Sequence, residues 1–114
     1  MDDESTTIGA LKIIADRFAS ERNWQPYHSP KNLCMALASE VGELLEPFRW
    51  ATEQESYEIC QHPRLREAVA DEVADVVYLL MLFSLHSGID ITTALREKMV
   101  KNAVKYPAPP PEQE

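Results

Sequence analysis

Two acidic pairs stand out for their spacing. Glu40 and Glu43 lie three apart in one apolar-periodic stretch, and Glu72 and Asp75 lie three apart in another. On a helix, residues three apart share a face. If the two helices pack side by side, four carboxylates converge. Their mutual repulsion forbids all of them staying ionised without a cation. Hard oxygen donors favour Mg²⁺, with Mn²⁺ possible, over Zn²⁺. A di-iron site would want a Glu-x-x-His, which neither pair supplies. Such an ion takes few protein carboxylates and fills its shell with waters and phosphate oxygens, so the chemistry expected is hydrolysis of a triphosphate. In that reading Glu40 or Glu43 orients the attacking water, and the sequence leaves both open. The structural alternative is that each pair is a solvated helix edge in a non-catalytic helical dimer.

The second pair sits in the stretch around which the chain is organised. Leu65 to His86 contains no Pro or Gly, Pro63 precedes it and Gly88 follows. This is the asymmetry of a helix start and stop, and the helix would be roughly 33 Å long. Its second half carries Val76, Val77, Leu79, Leu80, Met81, Leu82, Phe83 and Leu85. A helix apolar on nearly every side expects burial on every side. One small chain offers too few neighbours, which predicts a homo-oligomer, dimer or tetramer, with this helix at the interface.

The other elements follow from caps and breakers. Thr7 caps a first helix with Ile8, Leu11, Ala15 and Phe18 on one face, ending near Arg22-Asn23. An aromatic loop follows, from Trp24 to His28. Ser29-Pro30 opens a second helix with Leu33, Leu37, Val41, Leu44 and Phe48 as its core stripe, and Pro47 kinks or ends it. Thr52 and Glu55 form a capping box for a short third helix through about Cys60. Asp90 caps a last helix, with Ile91, Leu95, Met99 and Ala103 inward and Lys98, Lys101, Asn102 and Lys105 on a polar face. Pro107 ends it, and the Pro-rich stretch 107–114 is expected to be disordered. The fold class expected is all-α: an antiparallel bundle of four to five helices over residues 1–106, completed by homo-oligomerisation.

Net charge is −8, which speaks against a nucleic acid polymer as partner. The longest apolar run is far short of a membrane span, and the acidic start Met-Asp-Asp-Glu-Ser is no signal peptide. Cys34 and Cys60 match no metal or redox spacing and read as reduced thiols of a cytoplasmic protein. Trp24, Tyr27, His28 and Trp50 flank the second helix and could stack on a base or anchor the core. Tyr78, one turn after Asp75, could meet a sugar or point into the core. The lysines of the last helix, with Lys31 and Arg66, could meet outer phosphates. Asn102 among them could bind a sugar hydroxyl or phosphate.

The segments Phe18–Trp24, His28–Leu33, Ser39–Glu46, Phe48-Arg-Trp50, Asp71–Asp75 and Lys98–Pro107 resemble the MazG-type all-α nucleotide pyrophosphohydrolases, nearest the dCTP pyrophosphatase branch. The resemblance implies hydrolysis of a nucleoside triphosphate to monophosphate and pyrophosphate. It implies Mg²⁺ on Glu40, Glu43, Glu72 and Asp75, and a tetramer of helical subunits. It implies that Trp24, His28 and Trp50 frame the base and that Lys98 or Asn102 touches phosphate or sugar. The chain departs from the family pattern at two places. Pro47 replaces a helix-compatible residue, and Leu79 stands where that branch usually carries the tyrosine that here comes one earlier, as Tyr78.

Overall fold

A computed structural model describes residues 1–112. Five α-helices form: α1 (Ile8–Glu21), α2 (Pro30–Leu45), α3 (Glu53–Gln61), α4 (Pro63–Ser87) and α5 (Ile91–Lys105). The described residues contain no strand. Each start has a chemical cause. The hydroxyls of Thr7, Ser29 and Thr52 and the carboxylate of Asp90 each accept a backbone N–H of the first turn. At α3 the capping box is complete, with Glu55 reaching back to the N–H of Thr52. The long helix starts at Pro63, two residues before the expected Leu65, because His62 caps it and Pro63 takes the first turn. It ends where Gly88 turns left-handed at φ 70°. Pro47 ends α2 and starts a 3-10 turn, Glu46–Phe48.

Both α1 and α2 pack on α4. The Lys12 ammonium donates to the carbonyl of Ile89 at 3.0 Å, and Phe18 meets Tyr78, so α1 runs antiparallel to α4. The seam between α2 and α4 also runs antiparallel, from Leu33 in the buried cluster with Met81 and Leu82 down to Glu40 beside Glu72. Ala15, Ala19, Leu33, Met81 and Leu82 are the buried apolar core, with Ile8, Leu11, Val77, Leu79, Phe83 and Ile91 packed around it.

Three expected faces are corrected. Val41 is 47% exposed, and Glu40, one residue earlier, takes the half-buried position on α2. Leu33, Leu37, Glu40 and Leu44 keep the 3–4 spacing that an antiparallel helix pair selects. Phe18 lies outside the buried core because its ring turns to Trp24 and Tyr78. On α5 only Ile91 reaches the core; Leu95 is 57% and Met99 49% exposed. Beyond Ile91, the described residues leave this face of α5 largely uncovered. The radius of gyration is 17.6 Å, where a compact chain of this length has about 13 Å. Among the described residues no helix is long and apolar enough to cross a membrane. Residues 107–112 have no regular secondary structure, and Gln113 and Glu114, the end of the expected disordered stretch, lie outside the described residues.

Candidate active site

Carboxylate oxygens of Glu40, Glu43 and Glu72 lie within 4.8 Å of one another. The pairing of α2 with α4 makes this cluster, since each helix brings its acids to the shared seam. Glu40 and Glu72 are half-buried and Glu43 is exposed. One oxygen of Glu40 and one of Glu72 are buried without any hydrogen-bond partner. No described cation relieves them: the ion pairs found are Arg22–Glu21 and Arg49–Glu46, both at the surface. The strain registers on Glu72. The neighbouring Glu40 carboxylate, then burial, then Glu43 raise its pKa from 4.5 to about 7. Three carboxylates, two of them with a buried oxygen that has no partner, suit a divalent cation that keeps part of its shell for other ligands.

Asp75 does not join this cluster. It is exposed and lies about 60° round α4 from Glu72, at 100° per residue. There it lines a groove of ≈ 750 Å³ between α1 and α4. The groove is walled mainly by apolar side chains, among them Leu11, Ile14, Phe18, Val73, Val77 and Met81. Trp24 and Tyr78 supply polar edges, and the Tyr78 hydroxyl is buried with no partner. Burial raises the pKa of that phenol, and nearby Arg22 opposes the rise. An apolar groove of this size with a few inward polar groups is the usual form of a small-molecule site. Asp75 stands between it and the three glutamates.

Trp24 is held at the groove by its loop. Asn23 takes a left-handed turn at φ 57°, and the Trp24 N–H then donates back to Ala19 at 3.0 Å. Edge-on ring contacts run from Tyr78 to Phe18 and on to Trp24, His28 and His86, with centroids 5.7, 5.7, 6.4 and 6.1 Å apart. Arg22 lies 3.6 Å over the Phe18 ring. The structure thus gathers Trp24, His28 and Tyr78. It does not gather Trp50, Lys98 or Asn102 with them in one chain. Trp50 is 86% exposed beyond the far end of α2, a helix about 24 Å long. Lys98 and Asn102 are on α5, which starts roughly 24 Å along α4 from Glu72. The groove, Phe18 and His86 were not foreseen from sequence. Only the shared stripe of Leu11, Ala15 and Phe18 carried a trace of the groove wall, and nothing in the spacing pairs His28 with His86.

A family model described as MazG-like matches residues 35–114. The chain is 37% identical over 102 residues to a dCTP pyrophosphatase 1 of Homo sapiens, covering 90% of this chain and 60% of that protein. It is 35% identical to the Mus musculus dCTP pyrophosphatase 1, covering 89% and 59%. It therefore spans about three fifths of the length of these curated relatives. A crystal structure of a pyrophosphatase from Archaeoglobus fulgidus superposes with a TM-score of 0.83 at 34% identity, over 95% of this chain and 99% of that one.

Proposed function

The chain belongs to the MazG-like family, next to its dCTP pyrophosphatase branch, and we propose that it hydrolyses dCTP or a related nucleoside triphosphate to the monophosphate and pyrophosphate. The observation that carries this reading is the cluster of Glu40, Glu43 and Glu72 with its unpaired buried oxygens, one helix face away from an apolar groove. Glu40, Glu43 and Glu72 would hold a Mg²⁺ ion, with Mn²⁺ as the substitute, and Asp75, outside their cluster, would be left to meet the shell of that ion or the substrate. When bound, such an ion offsets the negative charge of the phosphate chain and of the transition state. The nucleoside end lies in the groove, against Trp24 and Phe18. Glu43, the most exposed of the three, accepts the proton of the attacking water. A new P–O bond forms, the bond between the first and second phosphoryl groups breaks, and pyrophosphate leaves.

The breadth of uncovered apolar surface supports a homo-oligomer. Leu80 and Leu85 of α4, Ile13 and Ile14 of α1, and Leu95 and Val100 of α5 are all exposed in the single chain. Lys98, Asn102 and Trp50 then reach a site only from a second copy. Sedimentation equilibrium should give a dimer or tetramer at micromolar concentration; a monomer at all concentrations removes the trans contacts from this reading.

Incubation with dCTP and Mg²⁺ should release dCMP and pyrophosphate in equal amounts. A panel with dUTP, dATP and CTP ranks the base and sugar. If no triphosphate is cleaved with either metal, the acids are structural and the helical bundle carries no reaction.

A further inference from the structure

His86 projects from the last turn of α4 and its ring stands edge-on to His28, centroids 6.1 Å apart. His28 in turn meets Trp24 edge-on at 6.4 Å. Both belong to the segment between α1 and α2, which closes through short turns: the N–H of Tyr27 donates to Trp24 and that of His28 to Gln25. Trp24 stands on the groove wall. The two ends of this loop are fixed to α1 and α2, where the Trp24 N–H donates to Ala19, Gln25 donates to Asp16 and Asn32 donates to the carbonyl of Tyr27; His86 adds a ring contact to His28 from the last turn of α4. We propose that His86 is a positioning residue: its ring holds His28, and through His28 the loop 22–29, so that Trp24 stands across the mouth of the α1–α4 groove, and a proton on His28 opens that hold.

The Nδ1 atom of His28 is buried with no hydrogen-bond partner, so an imidazolium there has nowhere to place one of its N–H donors. Burial first, and the charge of His86 second, hold its pKa below the ordinary 6.5. The charge of His86 adds to burial in disfavouring a proton on His28, while on the α1 side the acid Asp16 accepts from Gln25 of the loop at 3.4 Å. A proton taken up in spite of this drives the ring toward water, and Trp24 moves with it. The proposal rests on the nucleotide reading only for what the groove holds.

Trp24 and Trp50 are the two tryptophans of the chain, so Trp50→Phe leaves Trp24 as the single reporter. Without nucleotide, its emission should hold from pH 8 down to the ordinary histidine range and shift to the red below it. His86→Ala should show the red-shifted emission already at pH 8. His86→Phe should restore the emission at pH 8 and move the acid transition to higher pH, because the ring is kept and the opposing charge is gone. Unchanged emission in His86→Ala, or an unmoved transition in His86→Phe, overturns the proposal. If His86→Ala does not fold by circular dichroism, the transition in His86→Phe decides alone. With Trp50 restored, His86→Ala should raise KM for dCTP about two- to tenfold, more than it lowers kcat, the range an edge-on aromatic contact supports. Should no protein of the set turn over any triphosphate, the nucleotide reading fails while the emission series still decides on His86.

Discussion

Glu40→Gln and Glu72→Gln should each lower turnover of a nucleoside triphosphate at saturating Mg²⁺ by about 10²- to 10³-fold, the cost of removing one preorganised charge-stabilising group. The substitution keeps volume and hydrogen-bonding shape and removes one negative charge from a cluster built of three carboxylates. Each replaced side chain owns an oxygen that is buried without a partner. In Gln one of those positions becomes an NH₂ donor that repels a cation. The protein itself should not suffer. Taking one charge out of a mutually repelling set relieves the neighbours, and Glu72, whose pKa is raised by Glu40 and Glu43, loses its largest source of strain in Glu40→Gln. The metal-free Glu40→Gln protein should thus unfold at the wild-type temperature or above it while being nearly inactive. Steady-state kinetics beside thermal unfolding in EDTA checks both halves. Wild-type turnover in either variant excludes these carboxylates from the reaction. Loss of activity together with loss of stability would make them structural.

The parts of this molecule decided by nearest neighbours in sequence could be read in advance. The Thr7, Ser29, Thr52 and Asp90 caps, the stop at Gly88 and the helix end at Pro47 each depend on a few consecutive residues, and all are found. The acid cluster was legible because i, i+3 spacing on two apolar helices leaves few ways to pair them, and three of its four expected members meet. What escaped depends on rotation and on distant packing. Whether Val41 or Glu40 fills the seam is a turn of about 100° on one helix, and hydropathy favours the valine. Placing a carboxylate there runs against apolar burial, so sequence reasoning misses this kind of position where the site needs it. The groove lies between helices far apart in the chain, and the contact of His28 with His86 spans the same gap. The face of α5 read as inward carries the right period, but among the described residues only Ile91 of it packs on the core. Periodicity reports that a face wants covering and not what covers it.

As pH rises from about 4.5 to about 7, the unfolding temperature of the metal-free protein should fall relative to that of Glu72→Gln, which keeps the opposite contribution of His28 with its lowered pKa. Glu72 is the reason. Its pKa in the folded chain is about 7 against an ordinary 4.5, so across that interval the folded state keeps a proton that the unfolded state has released. Stability falls with pH wherever the folded state binds more protons; the contribution is intact below the lower value and fully lost above the upper one. Glu72 is exposed enough for solvent to moderate the effect, so the sign of the difference between wild type and Glu72→Gln is the prediction. Mg²⁺ should act in the opposite sense. A cation seated among Glu40, Glu43 and Glu72 takes the place of that proton, so it competes with it at low pH and meets no competitor above pH 7. At a hundredfold excess over its Kd, a ligand that binds only the folded chain adds about 2.7 kcal/mol, roughly 10 °C for a domain of this size. That rise should appear at pH 8 and shrink toward pH 5, opposite in sense to the Glu72 contribution in EDTA. Equal rises at both pH values would place the ion elsewhere on this acidic surface. No rise at either would mean that the three carboxylates meet without holding a metal, and the proposed reaction would lose the charge it needs.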